Sequence, residues 1–550
     1  MMNRIHRIAN PVFFLLLTLL IYGCGGYDVI IRNGTVYDGS GGEPFTADIG
    51  IKKDRIDSIG DLSEEKAKDE IDATGLAVAP GFVNSLSWAA RSLRSDGRSM
   101  SNIKQGVTLE IFGEGSSPGP YDPEKTGRRK RNSFGENMRN LEKGGISTNV
   151  ASFVGATTIR RYVLGSNDVD PGPEDLEKMK SLVRQSMLEG ALGVGSSLIY
   201  PPAYFADTDE LVALSEAAGE YGGMYISHMR SEGDHLEEGV RELITIAERA
   251  GVPAEIYHLK AAGRRNWYKL DEVIDLIDSA RDAGLQISTN MYTYTGASTG
   301  IGACFPPWVQ EGSDEDWVNR LKVDSIRTRV ISEIKQQETE WENFYTAAGD
   351  PANILLLGFD QDSLRKYNGM NLAEISTLQD RDPAEMLVDL VIRENGNISA
   401  AYFLMSEENV RKKIKLPYMS FGSDARSVAA EGDVIEDSTH PRTYGNFARL
   451  LGKYVREENV IPLNEAIYKL SGLPVDKYGI PERGYIRPGY YADIVVFDPA
   501  RIIDKATFNN PHQYAGGMVH VFVNGRQVLS NGEHTGKKPG VFVKGKGATQ

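Results

Sequence analysis

Two kinds of hydrophobic rhythm alternate along the chain. Near its start, Tyr27-Asp28-Val29-Ile30-Ile31 and Asp48-Ile49-Gly50-Ile51 are short apolar runs separated by the turn Asp38-Gly39-Ser40-Gly41-Gly42, the pattern of strands joined by glycine turns. Ala492-Asp493-Ile494-Val495-Val496-Phe497 and Val519 to Gly525 repeat it near the other end. Both ends are therefore β-rich. They are expected to pair into one small β-sandwich, its first part over 27–79 and its second part, with the tail, over 484–550.

Between them, apolar runs alternate with amphipathic stretches. The runs end at Glu114, Gly155, Ser197, Met229, Lys260, Tyr294 and Asp424, and an eighth precedes Asn84. Leu236, Val240, Leu243, Ile244 and Ala247 recur at helical spacing before Gly251, and Leu270, Val273, Ile274, Ile277 and Ala280 do so before Gly284; a glycine is a frequent helix stop. Asp207 with Glu210 three residues on has the form of a capped helix start. Eight β-then-α units imply parallel strands, so the predicted class is α/β, with a (β/α)8 TIM barrel over 80–483 and an insertion around 305–416. No internal repeat is visible, and the polar tail from Lys537 is expected to be loosely ordered.

Composition narrows the partners. At 550 residues the chain is too long for one small core but fits a barrel with an accessory domain. A formal charge of −15, with no basic cluster longer than Arg128-Arg129-Lys130-Arg131, argues against a nucleic-acid partner. At the N-terminus, Arg4 and Arg7 precede the apolar run Val12 to Ile21, too short for a stable bilayer span and shaped like a secretory signal. It closes on Ile21-Tyr22-Gly23-Cys24, which resembles the lipobox of bacterial lipoproteins. Residues 1–24 then form a signal peptide ending at a lipidated Cys24; the alternative is a simple cleaved signal with an incidental cysteine. The first reading expects export to the cell envelope, with a lipid anchor as the sole membrane contact. If Cys24 is acylated, the remaining Cys304 has no intrachain partner.

In a barrel of this kind chemistry sits at the C-terminal ends of strands. Predicted strand five ends in Ile226-Ser227-His228-Met229-Arg230-Ser231-Glu232, strand six in Tyr257-His258-Leu259-Lys260, and the last in Gly422-Ser423-Asp424. Two neutral imidazoles hold an ion and a carboxylate takes a proton from water, the parts of a mononuclear zinc hydrolase. A lone histidine at a strand end is more often a hydrogen-bonded core residue. Here, however, two of only eight histidines fall at equivalent places on adjacent strands. Asp424 has its own bland reading, a turn cap after Gly422-Ser423.

Several phrases in order resemble the amidohydrolase superfamily: Val78-Ala79-Pro80-Gly81-Phe82-Val83, ISHMRSEGDHLEEGV, YHLKAAGRRNW, Gly422-Ser423-Asp424, HPRTYGNFARLLGKY and RGYIRPGYYADIVVFDP. Within it they are most similar to the D-aminoacylase (N-acyl-D-amino-acid deacylase) branch. The resemblance implies a metal-dependent barrel with a flanking β-sandwich. It also implies that His228 and His258 bind zinc and that Asp424 is the catalytic base and then acid. By the same resemblance Lys260, Tyr200, Tyr292 and Ser298 are substrate-contacting positions. Arg442 is a candidate for the substrate's carboxylate, with a structural ion pair as the equal alternative.

The departures are as informative. Relatives follow the Pro-Gly-Phe phrase with His-x-His at the end of strand one; here Leu86 and Trp88 stand in those places, and neither ligates zinc. Where the branch carries a zinc-binding cysteine on strand two, this chain has Gly115, with Glu114 one place before it. Glu114 can replace that ligand only if the strand has ended before it, because strand alternation turns neighbours to opposite faces. Asn290 stands where relatives often carry aspartate. One Zn2+ ion is therefore expected, not two, acting on an amide in N-acyl (D-)amino acids or small dipeptides. The alternatives are a degenerate barrel that binds such ligands without cleaving them, and a cyclic amide hydrolase.

Overall fold

The computed structural model describes residues 26–122 and 132–548. Cys24, the signal segment and the run Arg128–Arg131 lie outside the described residues.

The alternation of apolar runs and amphipathic stretches becomes alternating strands and helices. The parallel strands are β1 (Phe82–Asn84), β2 (Val107–Phe112), β3 (Asn149–Ser152), β4 (Gly193–Ser197), β5 (Met224–His228), β6 (Ala254–Ile256), β7 (Ile287–Met291) and β8 (Met419–Phe421). Among the described residues the longest helix after each of β2 to β6 is α1 (Phe134–Lys143) after β2, α2 (Pro173–Leu188) after β3, α3 (Thr208–Gly219) after β4, α4 (Leu236–Ala250) after β5 and α5 (Lys269–Asp282) after β6. Their ends obey the expected local chemistry. Asp207 accepts the Glu210 amide at 2.7 Å at the start of α3, and Gly251, at φ 65, takes the left-handed turn that closes α4.

The strands form two parallel sheets. One has the order β8-β7-β6-β5-β4 and continues to the two-residue strand Val154–Gly155; the other has the order β1-β2-β3. Phe153, between β3 and Val154–Gly155, donates its amide to the Phe112 carbonyl at 2.9 Å. At the opposite edge the Ser85 amide donates to the Phe421 carbonyl at 3.0 Å, beside a parallel bridge between Ser87 and Ala425. Successive side chains go to opposite sides. On β5, Tyr225 shares one buried cluster with Met138, Val183, Leu211, Val240 and Val273 of the helices, while Met224 and Ile226 share another with Val83, Leu109, Ile111 and Tyr257.

Both ends of the chain meet in one nine-stranded mixed sheet. The late strand Ile494–Phe497 pairs antiparallel with Ala77–Pro80, which pairs parallel with Tyr27–Val36. A third unit, an antiparallel sheet of Gly296–Gly300, Ile354–Gly358 and Ser399–Phe403, builds its own core around Phe305, Trp317, Leu387 and Tyr402.

The tail departs from expectation. It is not loose: the Val150 amide donates to the Val541 carbonyl and the Val543 amide to the Val150 carbonyl, at 3.0 and 2.8 Å. Phe542, 6% exposed, packs edge-on against Phe134. The polar residues that suggested disorder flank two apolar side chains whose burial holds the segment against the base of β3.

Candidate metal centre

Strand β2 ends at Phe112, and Gly113, at φ 112, turns the chain out of the sheet. The condition set by strand alternation is thereby met, and Glu114 is buried facing the ends of β5 and β6. Its Oε1 lies 3.0 Å from His228 Nδ1 and 3.0 Å from His258 Nε2. One donor atom from each of the three falls within 4.8 Å of the others. A tetrahedral zinc with ligands at ~2.1 Å keeps its donors ~3.4 Å apart, so one carboxylate oxygen and two imidazole nitrogens at these spacings fit a divalent ion. Gly115 explains why the carboxylate sits one place early: at φ 65, a Cβ there would meet Ser197 Cβ at 2.6 Å, so a cysteine does not fit this turn.

His258 and Asp424 both have positive φ, 32 and 47, conformations that persist only when surroundings impose them. The His258 amide donates to Asn290 Oδ1 at 2.8 Å, and Asn290 Nδ2 donates to buried Glu255 at 2.6 Å. The Asp424 amide donates to the Leu86 carbonyl at 2.9 Å. The Asp424 carboxylate is held at both oxygens: Trp88 Nε1 donates to Oδ1 at 3.0 Å, and Arg442 Nη1 lies 2.7 Å from Oδ2.

These groups line one cavity of about 920 Å3 that opens to solvent, a size suited to a small molecule. Glu114, Tyr200, His228, His258, Lys260, Tyr292, Ser298, Asp424 and Arg442 all line it, so every site residue proposed from the sequence, Cys24 aside, converges there. The Tyr200 ring stands edge-on to His228 at 5.3 Å, its hydroxyl paired with Thr299 Oγ1 at 2.7 Å. Tyr292 carries the Arg442 guanidinium over its ring at 4.6 Å. Arg442 Nη2 donates to the Ser298 carbonyl at 3.0 Å, while Arg442 Nε and Nη1 are buried without a hydrogen bond, Nη1 meeting Asp424 as an ion pair only. Ser298 itself donates to the Ala400 carbonyl at 2.9 Å.

Two participants carried no assigned role in the sequence. Glu232 lies behind the histidines, its side chain 1% exposed, with Oε1 2.5 Å from Lys260 Nζ and 2.9 Å from His258 Nδ1. Trp88, set aside as a non-ligand, is an active donor: its N–H reaches Glu114 Oε2 as well as Asp424, each at 3.0 Å. Leu86 is buried and packs on Gly422 outside the cavity lining.

The charges interlock. Burial would raise the Glu114 carboxyl, but the His258 charge and hydrogen bonds from both histidines override it and hold it far below the usual range. Burial opposes Glu232 in the same way, and Lys260 and the two histidines pull it well down. Burial and Lys260 push His258 down while Glu232 and Glu114 push it up, leaving it at about 9 without an ion. Burial raises Asp424 despite the opposing Arg442, the direction that suits a group exchanging protons near neutrality.

A model of the amidohydrolase family matches residues 418–529. D-aminoacylase of Alcaligenes xylosoxydans xylosoxydans is 30% identical over 525 residues, 94% of this chain and 97% of its own length. Among solved structures, N-acyl-D-glutamate deacylase of Bordetella bronchiseptica, complexed with zinc and a phosphonate mimic of the tetrahedral intermediate, aligns with TM-score 0.79 and 26% identity. The alignment covers 94% of this chain and all of that one. A D-aminoacylase described as having a binuclear centre with one-metal activation and second-metal attenuation aligns with TM-score 0.77 and 28% identity, covering the same shares. The chain belongs to the amidohydrolase superfamily, in its D-aminoacylase and N-acyl-D-amino-acid deacylase branch, and is an enzyme of that class.

Proposed function

We propose that this chain is a zinc-dependent hydrolase of the amide bond in N-acyl (D-)amino acids or small dipeptides, working with one ion. The observation that carries the proposal is the buried Glu114–His228–His258 trio on the floor of an open cavity, with Asp424 beside it. Zinc held by those three side chains supplies Lewis acidity at the scissile carbonyl. Asp424 accepts the proton of the attacking water and passes it to the leaving amine. Lys260 and Arg442 offer positive charge to the substrate's carboxylate, with Tyr200, Tyr292 and Ser298 shaping the pocket around it. The relatives' D-amino-acid substrates agree with this class.

The single ion rests on Trp88. Where relatives carry the second histidine of His-x-His, its indole N–H lies between Glu114 and Asp424. A neutral donor there satisfies both carboxylates, which a second cation would otherwise bridge.

Two architectural readings go with the proposal. The parallel sheets β1-β2-β3 and β4–β8 are read as arcs of one (β/α)8 barrel, linked at Phe153 and at Ser85–Phe421. The nine-stranded sheet is read as the flanking β-sandwich of both termini. The N-terminal segment is read as a lipoprotein signal, placing the enzyme on the cell envelope, anchored through Cys24.

The test is zinc stoichiometry on purified protein lacking residues before Cys24, followed by a screen of N-acyl-D- and N-acyl-L-amino acids. One zinc per chain with hydrolysis of a D-series substrate is expected. A folded protein without stoichiometric zinc, or a zinc-loaded one that cleaves no N-acyl amino acid, overturns the proposal.

A further inference from the structure

We infer that Glu232 is a positioning residue that orients His258 for the metal from behind, a role that rests on the metal centre proposed above. Each histidine has one ring nitrogen facing Glu114 and the other facing Glu232. His258 places Nε2 3.0 Å from Glu114 Oε1 and Nδ1 2.9 Å from Glu232 Oε1. His228 places Nδ1 3.0 Å from Glu114 Oε1 and Nε2 3.6 Å from Glu232 Oε2. His228 Nε2 and Glu232 Oε2 are both buried and neither makes a hydrogen bond.

A neutral imidazole has one lone pair and one N–H, so whichever nitrogen holds the proton decides which is free to bind an ion. Glu232 Oε1 and Lys260 Nζ both lie 2.9 Å from His258 Nδ1; with the ammonium turned to Glu232, the carboxylate takes the Nδ1–H and leaves the Nε2 lone pair directed at the ligand cluster. The carboxylate's other oxygen stands 3.6 Å from His228 Nε2, beyond direct hydrogen-bond reach, so the orienting contact is the one to His258. The negative charge of Glu232 is also the partner of Lys260 Nζ, at 2.5 Å. This ties a candidate substrate-binding cation to the ligand set.

The loop that carries Glu232 is built to stay still. The Glu232 carbonyl accepts the Ala262 amide at 2.7 Å, and Glu342, from the unit inserted after β7, accepts Ser231 Oγ at 2.6 Å and the Glu232 amide at 3.3 Å. A buried carboxylate is costly without partners. Lys260 alone would serve to neutralise it, so the rival role is a purely structural counter-ion for Lys260.

Zinc affinity of the full soluble chain, measured by chelator competition on metal-stripped protein, separates the two. It is read beside the thermal midpoint of the metal-free form. Glu232→Gln keeps shape and loses charge. Its zinc dissociation constant is expected to rise about 10- to 100-fold, while the metal-free midpoint stays close to that of the unaltered chain. A folded Glu232→Gln protein whose zinc affinity matches the unaltered chain within about twofold overturns the inference. Should that variant not fold, 15N spectra of the histidines in the unaltered, zinc-loaded chain decide instead: His258 protonated at Nδ1 is expected, and at Nε2 would overturn it. An unaltered chain that binds no zinc would sink the metal-centre reading itself, a distinct result.

Discussion

Trp88 and Asp424 are joined by an indole N–H that donates to Oδ1 at 3.0 Å, and the same N–H reaches Glu114 Oε2 at 3.0 Å. A residue that cannot bind metal thus links the candidate base to the candidate ligand. Trp88 is 41% exposed, so its ring contributes little to the core. Trp88→Phe keeps the ring and deletes the donor. One such hydrogen bond is worth about 0.5–1.5 kcal/mol, so kcat should fall about 3- to 10-fold with zinc still at one per chain. Unchanged turnover would make Trp88 a bystander.

The ligand trio and its neighbours should separate metal loss from core damage. His228→Ala and His258→Ala should each cut zinc occupancy at least about tenfold, because a three-residue site cannot spare a ligand. Leu86→Ala should cost about 2–5 kcal/mol of stability, since Leu86 is 1% exposed and its loss leaves a cavity. Zinc occupancy in that variant should barely change. Metal loss on the Leu86 change, with the histidine variants still loaded, would mean that the ion sits elsewhere.

How far the sequence revealed this molecule depended on whether a feature had a period or a local rule. Helix α4 was legible because its apolar residues recur every three to four positions and Gly251 sits at the stop. His228 and His258 were legible because each follows an apolar run on a neighbouring strand. Lys260 shows the limit: β6 ends at Ile256, four residues earlier than the apolar run suggested, because the loop beyond is itself buried in the cavity wall. Glu232 sits in an irregular loop with no periodicity, where a carboxylate looks like any solvated one; its signal was only its place four residues past a histidine at a strand end. The docking of Phe542 and Val543 depends on a surface far away in sequence, which no local pattern reports.

Acid should destabilise the fold through His440. Its Nδ1 accepts the Arg442 amide at 3.0 Å and its Nε2 lies 3.0 Å from the Gly296 carbonyl, so the ring is neutral with its proton on Nε2. A second proton would face the Arg442 N–H. Burial, with Arg442 adding to it, depresses the folded pKa well below the ordinary value of 6.5. A depressed folded pKa gives stability that is full above the unfolded pKa and is lost as pH falls below about 6.5. Denaturant unfolding at pH 7 and pH 5 should show that loss. His440→Gln should flatten the slope by up to about 1.4 kcal/mol per pH unit; an unchanged slope would assign the acid sensitivity to other groups.

Anchoring is tested apart from catalysis. If Cys24 is the lipidated residue, Cys24→Ser should move the protein out of the membrane fraction with kcat unchanged, since the cavity residues lie far along the chain. A serine variant still fractionating with membranes as a mature lipoprotein would remove the anchor from the proposal.

Asp424 is the sharpest case, because its contacts support two roles. As the proton carrier it must exchange a proton in each turnover, and its raised pKa, caused first by burial, suits that task. As the partner of Arg442 at 2.7 Å, it could serve only to neutralise a buried guanidinium. Asp424→Asn keeps the shape and the Trp88 acceptor but cannot take a proton. General acid–base catalysis contributes about 10² to 10⁴ in rate, so kcat should fall by at least that range with zinc retained and KM little changed. Loss of the ion pair would also lower stability, so activity alone does not decide. The double variant Asp424→Asn with Arg442→Met removes both charges together. Because Arg442 also faces the substrate, the double variant is read for stability alone: a recovered thermal midpoint assigns the lost stability to the ion pair, and kcat of the folded, zinc-loaded single variant decides whether Asp424 carries the proton. Near-normal kcat in the single variant, on fully zinc-loaded protein, would leave the proposed reaction without its base.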